Sequence, residues 1–284
     1  MTQATLGGTL RFEGIGLHTG ESAVVEVVAS AADTGIAFVL HPSNDPGVAV
    51  VVPALAENVL DTSRATVIGR AGASVSTTEH LLSALFAMGV TNAEIHVRGA
   101  EIPVGDGSAK GFVEAIDAAG VVSQDRPRAT LVLDQPFVVA VGDRMVALFP
   151  APTFRVRFVA DFPAPIGTQY FYGDVEPSAY RRDIAAARTF GYLHEVEALR
   201  ARGLARGGSL ENALVFAPDG PMQPLRWPNE VVRHKVLDLI GDLALLGAWP
   251  QCEVVAIKSG HELHASATRA LRARSTVPSA SSHT

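Results

Sequence analysis

The stretch NEVVRHKVLDLIGDLALLG, residues 229–247, decides how this chain is read. It has the form of one helix. Leu239, Ile240, Leu243 and Leu246 recur at helical spacing and make a stripe that can be buried. His234, Asp238 and Asp242 follow one another at four-residue steps, so they share a second face. A helix-surface ion pair is one reading of His234 and Asp238. The other is a pair of ligands that hold one metal ion from adjacent turns.

Working outward, an earlier stretch follows the same order of elements. HLLSALFAMG (80–89) opens with His80, ends at a glycine, and is followed by a strand, AEIHVRG (93–99), then a glycine turn and a helix. After residue 247 come the strand CEVVAIK (252–258), the turn at Gly260 and a final helix. The identity between the copies is slight but the order of elements matches. It predicts an α+β fold of two similar domains, each a sheet backed by two helices. The polar, proline-containing segment Ser123 to Arg128 reads as the linker. The expected division is residues 1–124, residues 129–274, and a disordered tail at 275–284.

Within that plan the first seventy residues read as mostly strand: Leu6 to Phe12, Ser22 to Val28, Gly35 to His41, Val48 to Val52 and Ala65 to Gly69. GIGLHTG (14–20) is a tight turn where backbone can approach a ligand. His18 lies in it, as a binding residue or as an incidental hairpin histidine. Ser76 and Glu79 have the spacing of a capping box at the start of a helix. Glu79 is therefore either a helix cap or a general base beside His80, and spacing does not choose between them. In the second half, Tyr180 to Arg188 reads as a helix. Leu193 to Arg202 reads as the helix of a strand–helix–strand insertion.

The 284 residues are 48% hydrophobic and 18% charged, a globular profile with ample material for a core. A net charge of −6 argues against a general nucleic-acid binder. The single cysteine, Cys252, excludes an intramolecular disulfide and fits a reducing compartment. Any metal site must then use histidine and carboxylate. Met1 to Glu13 lacks the apolar core of a signal peptide, and no run of 18 apolar residues suggests a membrane span.

His80, His234 and Asp238 together make two histidines and one carboxylate, the pattern of a catalytic zinc with an open position. Glu79 is placed to take a proton from water activated there. His261, in the turn after the strand, is a candidate acid for a leaving group. Asp242 is its candidate partner, and Thr189 offers a hydroxyl to a developing oxyanion. This pattern points to a zinc hydrolase but names no substrate.

Seven motifs carry a resemblance: GIGLHTG, TTEHLLSAL, AEIPVGDGSAKGFVEAI, ARTFGYLHEVEAL, GLARGGSLENALVF, VRHKVLDLIGDLALLG and KSGHELHASATRAL. In this order, from about Leu6 to Leu271, the chain resembles the UDP-3-O-acyl-N-acetylglucosamine deacetylases, the LpxC family. The resemblance implies two β-α-α-β sandwich domains with a metal site between them. It implies a cytoplasmic zinc amidase, with ferrous iron as the other metal, that acts on UDP-3-O-acyl-N-acetylglucosamine in the committed step of lipid A synthesis. It gives His80, His234 and Asp238 as metal ligands and Glu79 as general base. It gives His261 as general acid, Asp242 as its support and Thr189 at the oxyanion. Lys235, Phe190 and Tyr192 fall at substrate contacts. The Leu193–Gly208 insertion, with Leu199, falls where the acyl tunnel is built, and His18 joins the substrate-binding set.

Some positions depart from the family pattern. Gly105 replaces a larger apolar residue, and Ala65 stands where many members have cysteine. Pro228-Asn229 replaces an acidic pair, and His264 is extra. Two alternatives stay open: an amidase for another N-acetylated nucleotide sugar, and a catalytically idle homologue. Nothing in the sequence demands more than a monomer.

Overall fold

The computed structural model describes residues 1–41 and 49–274. The expected start of a strand at Val48 and the tail at 275–284 lie outside the described residues. Two sheets share one strand plan. The first has the order Leu10–Ile15, Ser22–Ala29, Ala93–Arg98, Ile36–Leu40, Val50–Pro53. The second has the order Phe137–Val141, Arg144–Pro150, Trp249–Ile257, Arg155–Phe162, Gly167–Asp174, with Thr130–Val132 alongside Trp249–Ile257. In both, the latest strand in sequence enters the middle. It runs antiparallel to one neighbour and parallel to the other. The weak repeat in the sequence is thus a repeat of topology, and the α+β class holds.

Burial alternates along the central strands, as in Ser22–Ala29 and Trp249–Ile257. A period of two puts one face of each sheet on the core. Among the described residues six α-helices accompany the sheets: α1 Glu79–Ala87, α2 Lys110–Ala119, α3 Pro177–Asp183, α4 Leu193–Ala201, α5 Glu230–Ala244 and α6 His261–Arg274. Every residue of α1 is buried, and so are nearly all of α5. A helix buried all round has protein on every side. α1 and α5 pack on each other, with α2 beside α1 and α6 beside α5. One apolar core joins residues of both halves.

The two central helices touch at backbone distance. A Cβ added to Gly241 of α5 would lie 2.1 Å from the carbonyl oxygen of Glu79 in α1, so only glycine permits this approach. α1 ends as expected, with Gly89 at φ +85° just past the last turn. A buried ion pair fixes the start of α5. Glu230 accepts from the Arg188 guanidinium at 2.8 and 3.1 Å and from the backbone N–H groups of Arg188 and Arg226. This ties the segment 186–189 to the helix that carries His234.

Several local expectations are corrected. Ser76 and Glu79 do not form a capping box: Thr78 is the cap residue and makes no side-chain cap bond. Thr77, at φ +58°, turns the chain so that Ser76 pairs with Glu101 instead. The supposed linker is strand Val121–Pro127, antiparallel to Thr2–Leu6, because both edges find partners in each other. The strand expected at Leu6 to Phe12 is two strands, Thr2–Leu6 and Leu10–Ile15. The break comes at Gly7, whose N–H donates to the Gly120 carbonyl. The helix expected from Tyr180 begins earlier, since Pro177 sets its first turn, and ends at Asp183. Among the described residues no helix is long and apolar enough to cross a membrane.

Candidate active site

The crossing of α1 and α5 brings three candidate ligands together. His80 Nε2 lies 3.8 Å from Asp238 Oδ1, and His234 Nε2 lies 3.4 Å from the same oxygen. The two imidazoles meet edge to face, centroids 5.0 Å apart. Metal–ligand bonds of about 2.0–2.2 Å in a tetrahedron require ligand atoms about 3.3–3.6 Å apart; the 3.4 Å pair meets this, and the 3.8 Å pair needs only a small inward shift of His80 to hold the same ion. The chemistry of the donors fits as well. His234 donates its Nδ1–H to the Ala187 carbonyl at 3.0 Å, which leaves Nε2 as a lone pair. Burial, with His234 beside it, drives the His80 imidazole down to about 3, so it is neutral and able to ligate. Burial alone would raise the Asp238 carboxyl. His234, Lys235 and His261 around it hold it well below the usual carboxylate range instead. Lys235 Nζ occupies the other oxygen, Oδ2, at 2.6 Å.

Glu79 and His261 flank this group. Glu79 is 3% exposed, and its Oε2 accepts the Thr66 N–H at 3.0 Å. Burial pushes its carboxyl up to about 7, against the pull of His261 and with the help of Asp238 and Asp242. His261 opens α6, and its Nε2 lies 3.9 Å from Glu79 Oε1 and 4.0 Å from Asp238 Oδ2. Its Nδ1 is 2.8 Å from Asp242 Oδ2. Burial works to lower this imidazole, but Asp242, with Glu79 and Asp238, raises it to about 9.

A second trio, Asp242, His261 and His264, also has possible ligand atoms close together. Its geometry is that of hydrogen bonds. Both histidine Nδ1 atoms lie 2.8 Å from one oxygen, Oδ2, while the Thr66 hydroxyl donates to Oδ1.

The other expected residues divide. Phe190 stacks edge-on to His234, centroids 6.1 Å apart. His18 lies within electrostatic reach of His261, and its Nδ1 is buried without a hydrogen-bond partner. Glu101 holds the backbone N–H groups of His18 and Thr19. Thr189 is joined through its N–H to the Gly107 carbonyl at 2.7 Å, two residues beyond the Ala187 carbonyl that orients His234. Tyr192 is not brought to the group. Its hydroxyl donates to the Pro163 carbonyl at 2.7 Å, and its ring packs in a separate small core with Leu214 and Phe216. Leu199 sits half-buried on α4, outside the cluster. Sequence reasoning missed Thr66, which has no motif of its own, and gave His264 no role. The four- and three-residue steps from Asp238 to Asp242 and from His261 to His264 were the available signals.

Comparison with known proteins places nearly the whole chain in a family. A sequence model of the family described as UDP-3-O-acyl N-acetylglycosamine deacetylase (LpxC) matches residues 3–273. A protein of Thermosynechococcus vestitus named UDP-3-O-acyl-N-acetylglucosamine deacetylase is 44% identical over 95% of this chain and 94% of its own length. Its namesake in Phenylobacterium zucineum is 45% identical over 96% and 94%. That in Syntrophotalea carbinolica is 43% identical over 92% and 85%. With the match running through nearly every element described above, the chain belongs to the LpxC family of deacetylases.

Proposed function

We propose that this chain hydrolyses the acetamide of UDP-3-O-acyl-N-acetylglucosamine, releasing acetate and the free amine, as the committed step of lipid A synthesis. The observation that carries the reading is the convergence of two neutral histidines and an ionised aspartate. Beside them stand a buried carboxyl and a charged imidazole, 3.9 Å apart. His80, His234 and Asp238 hold one divalent ion, Zn2+ in the first place and Fe2+ as the other candidate for a two-histidine, one-carboxylate set. Bound there, the ion supplies Lewis acidity, which polarises a carbonyl and makes water more acidic.

The protein's own groups then divide the work. Glu79, raised towards neutrality, takes the proton of the attacking water. The Thr189 hydroxyl donates to the oxygen on which negative charge develops. His261, held charged by Asp242, gives its proton to the departing nitrogen. Lys235 keeps Asp238 ionised and faces the substrate together with Phe190 and His18. The apolar positions Leu193, Val196 and Leu199 of α4 receive the acyl chain. Their partial exposure supports a contact surface rather than plain core. We read residues 1–124 and 129–274 as the two domains, acting as a monomer in the cytoplasm, with the site between them.

The test is acetate release from UDP-3-O-acyl-N-acetylglucosamine by the purified protein, before and after chelation and on return of Zn2+ or Fe2+. Release that chelation stops and metal restores is expected. Metal-loaded protein that releases no acetate overturns the reading. Equal release from other N-acetylated nucleotide sugars replaces the substrate but keeps the chemistry.

A further inference from the structure

Asp242 is fully buried and lies one turn beyond Asp238 on α5. His261 is one of its partners, and the other is His264, also fully buried. His264 Nδ1 lies 2.8 Å from Asp242 Oδ2, and its Nε2 lies 2.9 Å from Ser259 Oγ. An ionised carboxylate only accepts, so His264 Nδ1 must carry a proton. Burial lowers the pKa of this imidazole against the pull of Asp242, so the ring is neutral. Its Nε2 is then bare, and the Ser259 hydroxyl donates to it. The chain of donors runs in one direction, from Ser259 to His264 to Asp242.

This chain constrains the carboxylate. Oδ2 receives His261 and His264, and Oδ1 receives Thr66. Three donors on two oxygens leave no free torsion. The backbone of the pair is fixed too, because the Thr268 hydroxyl reaches both the His264 carbonyl at 2.8 Å and the Asp242 carbonyl at 3.3 Å. Without His264, Asp242 would keep its charge in a dry site with one donor fewer. It would be free to turn away from His261. A side chain there for packing alone would have no need of two polar atoms, each of which must find a partner when buried.

We infer that His264, oriented by Ser259, is a positioning residue: it locks the Asp242 carboxylate so that His261 presents its Nε2 to the reacting group. The inference rests on the deacetylase reading for its kinetic consequence. Its structural content stands apart, in the state of the His261 Nδ1–H.

The experiment compares the parent with His264→Phe, His264→Asn and Ser259→Ala in the metal-loaded enzyme. His264→Phe removes both polar atoms. It should lower kcat about ten- to a hundredfold, the scale of a misplaced reacting group, with KM and bound metal unchanged. Asn places an amide N–H near the position of Nδ1, so His264→Asn should restore most of that loss. Ser259→Ala should cost only a few-fold, again in kcat. In an Asp242→Asn background, His264→Phe should cost nothing further, since both act through one contact. Spectra of 15N-labelled histidine should show the His261 Nδ1–H shifted or lost in His264→Phe. Full kcat in that variant, a loss that multiplies fully with Asp242→Asn, or unchanged His261 signals overturns the inference. If His264→Phe does not fold, Ser259→Ala decides by the same readouts. A parent that releases no acetate removes the deacetylase reading, while the spectra still judge His264.

Discussion

The two halves have the same strand order and place α1 of one against α5 of the other, yet they contribute different chemistry. α1 offers adjacent residues, Glu79 and His80, at its first turn. α5 offers a stripe, His234, Asp238 and Asp242, along one face, and α6 adds His261 and His264. The contrast is sharpest between two carboxylates that are equally buried. Glu79 has one Thr66 N–H donor and a single imidazole neighbour, His261, against two acids, so burial prevails and pushes it up to about 7. Asp238 sits among Lys235 and three imidazoles and is held ionised. Burial is common to both, so the partners decide which carboxyl can carry a proton and which can hold a cation. A repeat of fold is therefore no repeat of role.

Breaking that comparison at the ligands should have the largest effect. His80→Ala and Asp238→Ala each remove one of three donors, one from each half. Each should strip the ion and reduce turnover to background. Elemental analysis checks this, and full occupancy in both variants would remove the ligand assignment. Glu79→Gln comes next. It should keep the ion and lose about a hundredfold or more in kcat, the usual scale for a general base. The same variant tests the pH behaviour. Turnover requires Glu79 without its proton and His261 with one. Activity thus rises with pH as a carboxyl raised to about 7 ionises, and falls as an imidazole raised to about 9 loses its proton. A bound cation beside both groups draws both limbs below those values. Glu79→Gln should flatten the acid limb and leave the alkaline one. A profile of kcat/KM that keeps its acid limb in this variant assigns that limb to another group.

A smaller effect is expected where the halves meet without any titratable group. Gly241→Ala puts a methyl 2.1 Å from the Glu79 carbonyl oxygen, so the helices must part. Overpacking of this kind costs about 1–3 kcal/mol. The shift displaces Glu79 and His80 from the α5 stripe, and a displacement near 1 Å costs up to about a hundredfold in rate. A lower melting temperature together with a lower kcat is expected. Lower stability with unchanged kcat would mean that the site tolerates movement of α1.

Much of this was legible in sequence because it depends on periodicity. The α5 stripe follows from four-residue steps, and the matching order of elements around His80 and His234 anticipated the common strand plan. The failures have one physical cause, namely contacts made across the chain. The Ser76–Glu79 spacing left Glu79 open between a helix cap and a general base. Its carboxylate accepts the Thr66 N–H, from a segment that no helix-start pattern includes. Ser123 to Arg128 looked like a linker because it is polar, but most of it belongs to the strand Val121–Pro127, which pairs with Thr2–Leu6 at the other end of the half. Tyr192 lies in a family motif two residues from Phe190 and so on the same strand face, but the Pro163 carbonyl takes its hydroxyl and Leu214 and Phe216 take its ring. Thr66 and His264 both meet Asp242, from segments far apart in sequence, so their contacts had to await the fold.

The smallest expected effect concerns α4, which belongs to only one half and so has no counterpart to balance it. Leu193 is 43% exposed, and Val196 and Leu199 are half-buried on the same helix. A leucine stripe that served the core would be buried as fully as that of α5, where Leu239, Ile240 and Leu243 are 0% exposed. The contrast favours a ligand as the missing neighbour of α4. Each methylene that a chain buries there contributes about 0.8 kcal/mol, so a few contacts change affinity about tenfold or more. Leu199→Gln replaces apolar surface by an amide that must be desolvated when an acyl chain lies on it. It should raise KM for the acylated substrate several-fold, leave kcat near the parent value, and alter little with UDP-N-acetylglucosamine, which lacks the chain. Stability should hardly change, since the side chain is not core. Measured kcat/KM for both substrates on parent and variant decides the matter: equal losses would place Leu199 in the fold rather than on the substrate.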